Sequence, residues 1–115
     1  MKKIVVALFA SLAFAAAAHA HHGWSNYQGG EAMTLSGTIV EVAFSYPHST
    51  IRLQTEDKTW LVVLAPPSRM SARGLPGDML KPGDSAAVEG YAHRRDPIEL
   101  RAERITIAGK TVELR

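Results

Sequence analysis

The sequence predicts an all-β fold: a small closed barrel of five to six strands with one short helix between strands three and four, behind a cleaved signal peptide. Three observations lead there. Short runs in which apolar and polar residues alternate recur over residues 33–114, separated by proline, glycine and charged turns. The alternation breaks at Pro66, where the composition becomes that of a helix start. Ahead of both stands a basic dipeptide followed by an apolar stretch.

Lys2 and Lys3 precede the almost wholly apolar run from Ile4 to Ala18, and Ala18-His19-Ala20 supplies small side chains at both positions that signal peptidase reads. Cleavage is expected between Ala20 and His21, which sends the protein to the periplasm. The apolar run is shorter than the about 20 residues a transmembrane helix needs, and no second such segment follows. The processed protein is therefore expected to have no transmembrane segment. The predicted organisation is a signal peptide over 1–20, an amino-terminal arm over 21–32 and a single barrel domain over 33–115.

The arm, "HHGWSNYQGGEA" (21–32), is polar, aromatic and glycine-bearing, without apolar periodicity. "MTLSGTIVEVAF" (33–44) then sets Leu35 and Ile39 on one parity and Val40, Val42 and Phe44 on the other, which predicts a long strand bent by a bulge near Gly37 or Ile39. "STIRLQT" (49–55) alternates cleanly with Ile51 and Leu53 inward, Glu56-Asp57-Lys58 makes a polar turn, and "TWLVVLA" (59–65) is a more fully buried strand. Pro66 and Pro67 suit a first helical turn and Gly74 a stop, so a helix is expected over 67–73. After the "LKPGD" turn (80–84), strands "SAAVEGYAH" (85–93) and "IELRAERITI" (98–107) flank the charged loop "RRDP". Ala108-Gly109 turns the chain into a last strand, "TVEL" (111–114).

Three strands, a short helix, two strands and an edge piece follow the order of an OB-fold. In that barrel, ligands approach the face around strands two and three and the loops joining strands one to two and four to five. Here the first of those loops ends in His48 and the second begins at His93. A small open sandwich fits the same alternation.

Removing Lys2 and Lys3 leaves 11 of the 13 basic residues, equal in number to the 11 acidic ones. Nucleic acid is accordingly not an expected partner. With no cysteine in the chain, disulfides, thiolate metal sites and thiol redox chemistry are excluded, and any metal must be held by nitrogen or oxygen.

Nitrogen ligands are present. Four histidines remain after the expected cleavage: His21, His22, His48 and His93. An amino-terminal His21 chelates through its amine and its ring, and a further histidine completes the nitrogen set that Cu(II) favours. His22, at position two, offers a peptide-type alternative through its amide and ring. Pro47 stiffens the backbone beside His48, which favours a ligand role there. His93 is least suited, because Arg94 and Arg95 follow it and positive charge disfavours adding a dication. Each ring also has a plain structural reading, a hydrogen bond to a neighbouring carbonyl or idle exposure.

Trp24, Tyr27 and Tyr46 either line a pocket for a sugar or apolar ligand or staple the arm to the barrel, the staple being preferred. Arg69, Arg73, Arg94, Arg95, Arg101 and Arg104 either gather around an anionic ligand or, being interleaved with Asp96, Glu99 and Glu103, form a solvated, salt-bridged face, the face being preferred. No Ser-His-Asp order, carboxylate pair or phosphate loop points to an enzyme.

The motifs "HHGW", "TLSGTIVEV", "YPHS", "LAPPSRM", "LKPGD", "VEGY" and "RAERIT" together resemble domain-of-unknown-function family 6152, small exported proteins of Gram-negative bacteria. The resemblance spans nearly all of 21–115 and implies a periplasmic β-rich domain without an established activity. Where that family's pattern reads Asn-Pro before its second histidine motif, this chain has Tyr46-Pro47, so any support from the asparagine is missing. The expected function is a periplasmic binding protein that holds a copper-class ion through His21, with His22 and His48 as partners and Cu(II) as the only cofactor. Two alternatives stand beside it. One is a metal-free OB-like module whose face around Tyr46, Arg52 and His93 binds an envelope component or partner protein. The other is a copper redox enzyme.

Overall fold

Leu35, Ile39, Ile51, Leu53, Val62, Val88 and Leu100, the inward positions of the predicted alternation, are the buried centre of the molecule. The computed structural model describes residues 23–115. In it β1 (Met33–Ala43) runs antiparallel to both β2 (Thr50–Gln54) and β4 (Ser85–Ala92), and β2 to β3 (Thr59–Val63). A short helix α1 (Pro67–Ala72) precedes β4, and β5 (Glu99–Ile107) and β6 (Lys110–Glu113) complete the order β3-β2-β1-β4-β5-β6. The ring closes where β3 pairs in parallel with β5, Leu61 to Val63 against Glu99 to Arg101. The result is a closed five-stranded OB-like barrel with one added strand and one short helix; the open sandwich is excluded by that seam.

Two bulges bend the ring. In β1 the register passes from Ile39↔Leu53 to Glu41↔Arg52, so Val40 is the extra residue and stands 47% exposed. Skipping it switches the parity and brings Val42 and Phe44 back against the core. In β5 the register passes from Glu89↔Arg104 to Gly90↔Ala102, which leaves Glu103 unpaired and lets Ile105 and Ile107 face the core from the opposite parity to Leu100 and Ala102.

The helix ends one residue earlier than expected. Arg73 is its C-cap, the Gly74 N–H donates to the Ser71 carbonyl, and the Leu75 N–H reaches back to the Met70 carbonyl at 2.8 Å, a Schellman closure. Its buried residues, Pro67 and Met70, turn toward the barrel, and Met70 and Leu75 join the core. Among the described residues no helix is long and apolar enough to cross a membrane. The expected signal peptide and cleavage point lie outside the described residues.

Candidate functional site

The site forms where the arm lies across the β3–β5 seam. In β5, Leu100 and Ala102 face the core, so the side chain of Arg101 between them projects from the outer face of the barrel, opposite Val63 and Tyr91. An arginine there would ordinarily be solvated. The arm prevents it: a 3-10 turn (Trp24–Asn26) leads into Tyr27, which bridges to His93, while the Gln28 N–H donates to the Ala92 carbonyl at 2.8 Å and the Arg94 N–H to the Asn26 carbonyl at 2.9 Å. The Trp24 ring centre sits 4.5 Å from the Arg101 guanidinium carbon and 4.4 Å from that of Arg115, and the ring makes T-shaped contacts with Tyr27 and Tyr91. Gly23 adopts φ 92°, a conformation that favours glycine, and lies against the guanidinium: a Cβ there would fall 2.9 Å from Arg101 Nη1, so the arginine would have to shift. Trp24 and Tyr27 thus act as the staple. Tyr46, 67% exposed, takes no part in it.

Covered in this way, Arg101 is only 7% exposed. Its Nη2 lies 3.2 Å from His48 Nε2, and its Nε has no hydrogen-bond partner among the described residues. Arg104, three residues on, is ion-paired to Glu89 and Glu113; Arg101 has no such pair with any described carboxylate. Burial, reinforced by the charges of Arg69 and Arg115 and opposed by Tyr27, pushes the Arg101 pKa down.

Beside this guanidinium is a cavity of about 350 Å³ whose wall includes Gly23, Tyr27, Pro47, His48, His93, Glu99 and Arg101. Both predicted loop histidines reach it, as the OB order implies. Because an arginine only donates, His48 Nε2 accepts and Nδ1 carries the proton. Burial first, then the charges of Arg101 and Arg69, hold the His48 pKa below its ordinary value. In His93, Nδ1 accepts the backbone N–H groups of Arg95 and Asp96 at 3.1 and 3.0 Å, so Nε2 carries the proton. The Tyr27 hydroxyl donates to Glu99 Oε2 at 2.5 Å; its burial, then the bond to Glu99 and the carboxylate's charge, push its pKa up.

His48 and His93 are therefore brought together, while His21 and His22 lie outside the described residues. The residue that follows them, Gly23, is in the cavity wall. Arg52 and Tyr46 are not in that wall. Among the described residues, no group of three or more His, Asp or Glu side chains is arranged to hold a metal. Arg101 is the residue whose surroundings the sequence misplaces. Expected on a salt-bridged face, as Arg104 is, it is instead buried under the arm and has no ion pair among the described residues; its strand position alone carries no sign of that cover.

The barrel is similar to part of TiaS in a crystal structure of its complex with tRNA and ATP, with a TM-score of 0.53, 18% identity and coverage of 74% of this chain and 19% of that one. Against the ZRD-deleted mutant of TiaS in complex with agmatine the TM-score is 0.51 at 19% identity, over 74% of this chain and 24% of that one. The chain spans less than a quarter of either length, and at such identities the likeness is one of fold. A comparison with curated proteins finds no match. A family model does match, across residues 8–99, and the chain belongs to the family of unknown function DUF6152.

Proposed function

We propose that this protein is an exported, metal-free binding module of the bacterial envelope, which captures a ligand in the cavity between arm and barrel without turning it over. The observation that carries this reading is the fate of two lone pairs. A neutral imidazole has one, and in both barrel histidines it is engaged: His48 Nε2 by the Arg101 guanidinium, His93 Nδ1 by two backbone amides. What each ring has left is an N–H donor. A cation at His48 would displace Arg101 and then sit against its charge.

A second reading has one observation in its favour. Gly23, the residue after His22 in the sequence, lines the same cavity as His48, and the arrangement this reading calls for is a copper-class ion held by the His21 amine with His22 and His48. Calorimetric titration of Cu(II) into the form beginning at His21, with and without His48→Ala, separates the two. The metal-free reading expects equal affinities, because any copper taken up by the terminal peptide ignores His48. A tenfold or greater loss in His48→Ala would establish His48 as a ligand and overturn it.

A further inference from the structure

We infer that the cavity takes the oxyanion group, carboxylate or phosphate, of a small ligand, and that Arg101 is the residue that neutralises it; this rests on the metal-free reading above and names its ligand class. The starting point is a buried charge with the Trp24 ring and His48 beside it but no counter-charge among the described residues. An arginine that is 7% exposed has lost most of its hydration, and buried arginines ordinarily recover that loss through a carboxylate. Here one guanidinium nitrogen contacts an uncharged ring nitrogen and Nε contacts no acceptor among the described residues. Arg69 and Arg115 bear on Arg101 with charge of the same sign, and Tyr27, which opposes them, is a hydroxyl whose own pKa is pushed up by burial and so carries no charge at neutral pH. A ligand anion supplies the missing opposite charge, and the planar fork of donors fits the oxygens of a carboxylate or phosphate.

The surroundings agree. With His48 Nε2 and His93 Nδ1 accepting, the nitrogens left over on these rings, His48 Nδ1 and His93 Nε2, are both donors. Glu99 is the carboxylate in the wall, and its Oε2 is taken by the Tyr27 hydroxyl rather than by Arg101. Pro47 and Val63 give the cavity an apolar side for the rest of the ligand. At about 350 Å³ it is at the lower end of the roughly 300–1,000 Å³ typical of small-molecule sites, so the ligand is a small molecule rather than a polymer.

The test is thermal unfolding of the form beginning at His21 at constant ionic strength, chloride being replaced by inorganic phosphate in one series and by succinate in another. A ligand of the folded state raises the midpoint in proportion to the logarithm of its concentration above Kd. At least one of the two anions is expected to do so; phosphate alone assigns a phosphate group and succinate alone a carboxylate. Arg101→Gln is expected to weaken the apparent affinity at least tenfold, while Arg104→Gln, whose arginine is ion-paired elsewhere, keeps it within twofold. In the unmutated protein, the same anion is expected to shift the NMR signals of the His48 ring and the Trp24 indole, which decides the matter should Arg101→Gln fail to fold. No response to either anion, an undiminished response in Arg101→Gln, or signal shifts confined to other residues would overturn the proposal. Because copper affinity in His48→Ala is read separately, loss of the anion site leaves the metal-free reading standing, and failure of that reading is visible without any anion.

Discussion

His48 shows how one contact sets a residue's behaviour. Its ring is half-buried against a permanent cation, so protonation in the folded state meets both lost hydration and like charge. Its folded pKa therefore lies below that of the unfolded chain, near 6.5. The unfolded state then binds more protons in that interval, so the contribution of His48 to stability is complete above about pH 6.5 and is lost as pH falls through the folded value. Urea midpoints measured between pH 7 and 5 are expected to decline, with a shallower decline in His48→Gln. Carboxylate titrations contribute alike to both proteins and cancel in the comparison. An identical slope in the variant would show that His48 is not the source.

Among the elements, the sharpest constraint is the crossing of β4 and β5 at their bulge. A Cβ on Gly90 would lie 2.0 Å from the Arg101 carbonyl oxygen and 2.7 Å from the Ala102 Cα, which are main-chain atoms that cannot rotate aside. Gly90→Ala is expected to reduce stability by about 3 kcal/mol in urea denaturation, at the upper end of overpacking costs. Gly29→Ala, with nothing within 4 Å of the new Cβ, is expected to stay within about 0.5 kcal/mol. The two bulges also mark what the sequence can reveal. The one at Val40 is legible because apolar residues sit on both parities of 33–44, so a switch between them is forced. The one at Glu103 leaves the same switch, from Leu100 and Ala102 to Ile105 and Ile107, which the expectation of one uninterrupted strand over 98–107 does not use. In the same way, His48 and His93 are found by strand order, which assigns their loops to the ligand face. Arg101 escapes because its burial comes from a segment more than seventy residues away.

On the scale of the whole molecule, the arm and the barrel are held by different means. The arm rests on a few main-chain bonds and the Trp24 and Tyr27 side chains, whereas the barrel has a continuous core and a closed ladder. Local opening of the arm should therefore occur without global unfolding. In Trp24→Ala, hydrogen exchange at the Gln28 and Arg94 amides is expected to accelerate at least tenfold, while the Leu61 amide, bonded to the Ile98 carbonyl beside the seam, keeps its protection. Equal acceleration at all three would mean that the arm is needed to keep the ring shut. That ring has a further effect, on self-association. An open sheet offers the backbone of its outer strands to neighbouring molecules, the usual route to fibres and swapped dimers. Here β3 and β5 satisfy one another, and the outer strand left over is β6, four residues long with Lys110 and Glu113 at its ends. Such a short, charged margin is a poor template for strand addition, so the closed ring protects the molecule from pairing edge to edge with its own copies.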